Sequence, residues 1–404
     1  MLRPAMGVPN GCRLDTDVCV VGSGPAGVTL AKLLAPRFHV VVIPGGEKRR
    51  SSQATSLYRG ETVGDAYGRL EHLRSRQFGG TSNLWCIRLG DGSIGVRYVP
   101  FDPIDFEARS WIPHSGWPIS RADLNPYYRR AHEQLRIGSF AYDNEDENPG
   151  IHTLEALGLE ASLFRFGPSD VFLDPEINGL GSHQNIDVLL GAHAVDLTTT
   201  SSRDHVDEVK VATLQGRRFT VRAKRVVVAA GGIESARILL SAQGGRGIGS
   251  SRALGRYYMD HYLVPMARWH FRNPQEMRAL SYFDLRRVLD RSGTAPVMGK
   301  ISLGRQLQIR DRLVNACISL LPLAAEKDLR AVQGVKKVFE SVRTRRPRDV
   351  VSGAQEALKR LGYVKVALRD RLQSGVGLIP GFAKGGWSRL ERLDWRFQDF
   401  ELFA

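Results

Sequence analysis

Apolar positions cluster most tightly near the start of the chain. Val18-Cys-Val-Val21 and His39-Val-Val-Val-Ile43 are short apolar runs, the pattern of parallel strands buried on both faces. Between them Gly22-Ser-Gly-Pro-Ala-Gly27 leads into Val28–Leu34, a stretch of helix formers. Strand, glycine turn, helix and strand fit within about thirty residues, the span of one βαβ unit. A second rhythm begins near Asn185. Ile186–Leu190, Ala192–Leu197, Asp207–Leu214 and Arg218–Ala223 alternate apolar and polar residues between Gly and Ser turns, and are expected as meander strands. Arg225–Ala230 reads as a further buried strand, followed by a helix over Gly231–Leu240.

Elsewhere the pattern is weaker. Ser51–Trp117 is rich in Gly, Pro, Ser and aromatics with little periodicity, and is expected as a long ordered loop of the kind that carries function. Helical character resumes after Pro118, with Ser120 as the cap of a helix running to about Ile137. Asp143–Pro149 reads as an acidic turn, and residues 307–370 as mostly helical with a basic cluster at Arg343–Arg348. There is no internal repeat.

Composition adds bounds. The 404 residues give ample core for two or three domains or one large interleaved one. No apolar run approaches the roughly 20 residues of a membrane helix, and the N-terminus lacks the apolar segment of a secretory signal, so the expected location is cytoplasmic. Cys12, Cys19, Cys86 and Cys317 lack paired spacing, which argues against a disulfide framework or a metal site. Cys19 reads as packing. The net charge is +15, and residues 271–404 hold 26 Lys and Arg against 14 Asp and Glu. That excess reads as a solvated surface or one with an acidic complement elsewhere, because no nucleic-acid motif accompanies it.

Gly22, Gly24 and Gly27 form a GxGxxG fingerprint. The first glycine permits the tight turn, the second lets backbone approach a pyrophosphate, and the third lets helix pack on strand. Dinucleotide binding follows from its placement in a βαβ unit. The usual acidic residue at the end of the second strand is displaced. Ile43-Pro44-Gly45-Gly46-Glu47 puts the carboxylate a few residues late, so Glu47 reads equally as a ribose ligand or as a surface residue.

Later segments make the chain resemble a family. Leu14–Gly27, Arg74-Ser-Arg-Gln-Phe-Gly-Gly-Thr-Ser-Asn-Leu-Trp85, Phe101–Glu107 with Trp111–Pro118 and Leu124–Tyr128, Val226–Arg237, and Gly255–His261 occur in order. Together they resemble glucose–methanol–choline (GMC) oxidoreductases, in the branch near FAD-dependent sugar dehydrogenases and pyranose oxidases. The likeness is dense from Leu14 to His261 and thin beyond. It implies an α/β fold: a Rossmann-type FAD-binding domain, 14–120 with 180–264, interleaved with a mixed α+β substrate domain, 121–179 with 265–404, both incomplete at the C-terminus.

The resemblance also implies site residues. Gly79, Gly80, Thr81 and Ser82 are suited to close on pyrophosphate or flavin edges, and Arg76 to meet the phosphate charge. Trp85 reads as flanking the isoalloxazine, with a plain core aromatic as the alternative. Val195 resembles the residue whose backbone meets adenine, and Ala230 and Gly231 the turn beside the cofactor, with a merely structural role as the alternative for each. Pyranose oxidases attach the flavin through a histidine where this chain has Leu84, so FAD is expected to be non-covalent. Glu234, Asp260 and His261 read as helix-start, turn and packing residues, and His114 as structural.

The family's catalytic base, a histidine near the C-terminus, has no counterpart, since no histidine follows His270. It is expected beyond residue 404, so no catalytic residue is assigned within the chain. The expected function is oxidation of a CH–OH group of a sugar or alcohol, with an unknown electron acceptor. A non-catalytic flavin-binding fragment, or half of a split enzyme with a complementing C-terminal chain, is the alternative. No metal, membrane span or nucleic-acid partner is expected.

Overall fold

The computed structural model describes residues 1–65, 67–88, 94–142, 154–176, 178–202, 205–249, 251–261, 265–270, 288–289, 295–324, 334, 338, 347–358 and 398–403. They fall into two compact units, Met1–Cys86 with Ser169–Asp260, and Ile87–Pro168 with His261–Ala404.

The first unit is built on one seven-stranded sheet. Its strands are β1 (Leu2–Pro4), β2 (Arg13–Val21), β3 (Val40–Ile43), β4 (Ile186–Leu190), β5 (His193–Thr199), β6 (Val206–Ala212) and β7 (Arg218–Val228). The order across the sheet is β1-β4-β3-β2-β7-β6-β5. The first five pair in parallel, with Val18 opposite Val40 and Val21 opposite Val228. Every residue of β3 is buried, as is the Val18–Val21 half of β2, which is why both read as unbroken apolar runs. The last three form an antiparallel meander. There the alternation of β7 takes Phe219, Val221 and Ala223 inward and leaves Arg218, Arg222 and Lys224 outside. Each fully buried Val or Phe contributes about 1.5–3 kcal/mol.

Two helices follow parallel strands. Helix α1 (Pro25–Leu34) starts on Gly24 with Pro25 in its first turn, where a missing N–H costs nothing. Helix α2 (Gly232–Gly245) starts on Gly231 and kinks at Ala242–Gly244. Residues expected as two strands, Arg218–Ala223 and Arg225–Ala230, form the single strand β7. Lys224 does not break it, because an outward-facing charge fits a strand whose neighbours point in. The Ser51–Trp117 stretch is less loop-like than its composition suggests, with helical turns at Ser52–Ser56 and Leu70–Leu73 and strands at Cys86–Arg88 and Ile94–Tyr98.

The second unit carries an eight-stranded sheet. Its strands run in the order Pro265–His270, Gln398–Phe403, Cys317–Ala324, Pro296–Leu303, Leu159–Pro168, Ile94–Tyr98 and Cys86–Arg88, with Val288–Leu289 beside Pro296–Leu303. The described residues of 307–370 include the end of the Arg305–Asp311 helix and the Pro347–Leu358 helix, and the mostly helical expectation fails at the Cys317–Ala324 strand. An eight-residue apolar run suits a buried strand as well as a helix segment. The Arg121–Leu135 helix begins at Ser120, as expected, in a capping box with Asp123. The Asp143–Pro149 turn and Arg343–Arg346 lie outside the described residues. No described helix is long and apolar enough to cross a membrane.

Candidate functional site

Ligands of open α/β sheets bind beyond the carboxyl ends of strands, where the chain departs to opposite sides. In the first unit that place is the group of turns after β2, β3 and β7. Gly22 donates its N–H to Ile43 O at 2.8 Å and has φ +111°. A Cβ there would strike the Ala229 carbonyl, and one on Gly27 would strike the Gly22 carbonyl. These two glycines exist so that strands and helix can approach. Gly24 differs, since a Cβ on it meets nothing within 4 Å. It caps α1, whose first turn presents unsatisfied N–H groups.

A second loop closes on the first. Gly79 donates to Ser23 O at 3.1 Å, and Gly80 packs so close that its Cβ would lie 3.2 Å from Gly24 Cα. Both glycines have positive φ. Phe78, fully buried, anchors this loop, and its N–H donates to Glu47 O at 2.9 Å. The Ser82 hydroxyl turns inward to Gly79 O at 2.6 Å, while Asn83 Nδ2 donates to the Phe78 and Gly80 carbonyls at 2.9 and 2.8 Å. Trp85 ends the loop half-exposed.

Charge lines one wall. Glu234, in the first turn of α2, accepts from Arg74 Nη1 at 2.9 Å, Arg76 Nη1 at 3.4 Å and Arg237 Nε at 2.9 Å. The Tyr58 ring lies under two of these guanidiniums, 4.1 Å from that of Arg74 and 4.9 Å from that of Arg76. Burial pushes the Glu234 carboxyl up, but the surrounding arginines, Arg237 foremost, outweigh it and hold the group below the usual range. Arg76 Nε also donates to His193 Nδ1 at 3.3 Å. Burial, with the Arg76 cation beside it, pushes His193 down to about 4, so it is neutral and accepts this bond.

These groups surround a cleft of about 430 Å³, within the usual range for small-ligand sites. Gly22, Gly24, Arg76, Gly80, Thr81, Ser82, Trp85, Ala230 and Gly231 line it. Gly27 and Gly79 stand behind the lining as packing glycines. Val195 is half-exposed at a bulge of β5, beside the lining residue Ala194. Glu47 is exposed, lies against Gly191 and is not part of the lining.

Sequence reasoning did not find Ser23, Tyr58, Ser75, His193 or Arg237. Ser23 and Ser75 are 1% and 2% exposed, both line the cleft, and neither hydroxyl has a protein partner among the described residues. Buried hydroxyls are nearly always satisfied, and these two, on one cleft, are open to acceptor atoms of a ligand or of water. A glycine turn at a helix N-terminus, two orphan hydroxyls and a net-positive wall fit the phosphates of a dinucleotide. The position of Ser23 inside GxGxxG and the Arg-Ser-Arg triplet were the available signals for part of this set.

No family model and no curated protein matches the chain. Among solved structures, a crystal structure of formate oxidase is 17% identical with a TM-score of 0.37, over 58% of this chain and 48% of that one. Two structures of Aspergillus oryzae RIB40 formate oxidase, solved to follow the effect of a mutation on FAD modification, are each 18% identical. Their TM-scores are 0.34 and 0.35, covering 61% and 58% of this chain and 50% and 48% of theirs. The chain thus spans about half the length of these structures.

Proposed function

We propose that the cleft of the first unit binds FAD non-covalently, and that the protein is a flavin-dependent oxidoreductase of GMC type acting on the CH–OH group of a sugar or alcohol. One observation carries this reading. The glycine turn Gly22–Gly27 and the loop Gly79–Trp85, separate in sequence, are joined by the Gly79 to Ser23 hydrogen bond on the rim of one cleft. A nicotinamide site needs only the first of them, whereas the flavin pattern in the sequence requires both.

The N–H groups of the first turn of α1 and the Ser23 hydroxyl would hold the diphosphate, with Arg76 beside it. Trp85 would flank the ring system, and Ala230 and Gly231 would border the cofactor after β7. Val195 is assigned to the adenine and Leu84 to the place of a covalent attachment that this chain does not make. Glu47, outside the lining, is assigned to the surface, and the ribose is left to groups within the cleft. When bound, FAD would supply the acceptor for hydride from the donor carbon. The hydroxyl proton needs a base within hydrogen-bond reach. We assign no residue of the chain to that base, and we place substrate binding in the second unit.

Flavin absorbance and calorimetry on the purified chain test the proposal. FAD is expected to bind in preference to NAD and NADP, and acid precipitation to release all yellow colour into the supernatant. A failure to bind FAD, or a preference for a nicotinamide nucleotide, overturns the flavin reading. Colour retained in the pellet overturns the non-covalent one. Dye reduction with sugars and alcohols separates an enzyme from a protein that binds flavin without turnover.

A further inference from the structure

The Glu234 cluster is unequally spent. Arg74 gives its remaining donors to the protein, Nε to Leu70 O and Nη2 to Tyr58 O, each at 3.2 Å. It does not line the cleft, whereas Arg76 and Arg237 do. Arg74 therefore offsets the charge of Glu234, and two positive charges remain on the cleft wall. Their guanidiniums would repel one another without the carboxylate between them, and both long side chains would be free to turn away. Glu234 is itself nearly buried, at 8% side-chain exposure, and Arg237 is half-exposed. Ser75, between Arg74 and Arg76 in the chain, adds its orphan hydroxyl to the same cleft.

We propose that Glu234 is a positioning residue, which holds Arg76 and Arg237 on the cleft wall so that their two charges meet the two charges of a diphosphate. This rests on the dinucleotide reading of the cleft. A charge-assisted hydrogen bond is strong only when its geometry is fixed, and the carboxylate fixes two guanidiniums at once. Arg76 is further clamped by Tyr58 and His193, so Arg237 depends on Glu234 most.

The two roles open to Glu234 make opposite predictions. If it were only a counter-charge, Glu234→Gln would leave the wall more positive and tighten anion binding. As a positioning residue, its loss weakens binding although the wall gains charge. Calorimetry of the full chain with FAD and with inorganic pyrophosphate, at low and high salt, decides between them. Glu234→Gln is expected to lose about tenfold in affinity for FAD, and Glu234→Asp to recover part of that loss. Unchanged or tighter binding by Glu234→Gln overturns the inference. Should that variant not fold, Arg237→Ala, at a half-exposed position, takes its place. It is expected to lose about tenfold and to show a shallower salt dependence, and unchanged binding again overturns the inference. Wild-type binding of pyrophosphate without FAD would sink the dinucleotide reading and leave Glu234 to be judged on pyrophosphate. FAD binding equal in wild type and variants would sink the inference alone. Wild type binding neither probe would sink both.

Discussion

A methyl group added at Gly22 or Gly27 meets a backbone carbonyl oxygen, while one added at Gly24 meets open space. The same substitution therefore has different consequences within six residues. Gly22→Ala and Gly27→Ala are expected to lower stability by about 2–4 kcal/mol, because backbone rather than a flexible side chain must move. Gly24→Val is expected to cost about 1 kcal/mol as a poorer cap of α1 and to abolish FAD binding, since its side chain fills space the ligand requires. Paired denaturation and FAD titration check this; a Gly24→Val variant that is stable and still binds contradicts the assignment. His193 supplies a second residue-scale test. Its pKa is depressed to about 4 in the folded chain, against about 6.5 when unfolded. Between those values the unfolded state binds the extra proton, so stability is fully present above about pH 6.5 and falls by roughly 3 kcal/mol as pH drops through 4. Urea unfolding of wild type and His193→Gln across that range should show a steeper acid loss in wild type; equal slopes would remove His193 from the account.

Elements set where these residues stand. The Arg121–Leu135 helix of the second unit depends on a reciprocal cap, in which Ser120 Oγ accepts from Asp123 N at 3.3 Å and Asp123 Oδ2 accepts from Ser120 N at 2.8 Å. Ser120→Ala is expected to cost about 1 kcal/mol, read as a lower urea midpoint at unchanged slope. This cap, the βαβ unit and the strand Ile186–Leu190 were legible because each has a local cause: a capping residue, a glycine turn, an alternation. The Cys317–Ala324 strand was not, because its apolar run carries no period that distinguishes strand from helix. At the site, the lining glycines were legible from their spacing. Glu234 and His193 were not: their meaning comes from Arg74 and Arg76, which lie more than a hundred positions away along the chain and join them only through the packing of β5 and α2.

At the scale of the molecule, the first unit is made of two distant stretches, and β2 is the seam between them. It pairs with β3 close by in sequence, and with β7 through Val18 opposite Arg225 and Val21 opposite Val228. Two of the three turns that border the cleft thus come from the first stretch and the third from the second. Refolding should be slow for its size, since pairing at such separation is what lowers folding rates. Stopped-flow refolding followed by FAD fluorescence should show secondary structure forming before flavin capture; simultaneous phases would contradict this order. The seam also fixes a schedule during synthesis. Ribosomes add about 5–20 residues each second, so roughly 10–40 s separate the emergence of β2 from that of its partner β7. Throughout that interval the apolar flank of β2 is uncovered, and a chaperone has its opportunity before the cofactor does.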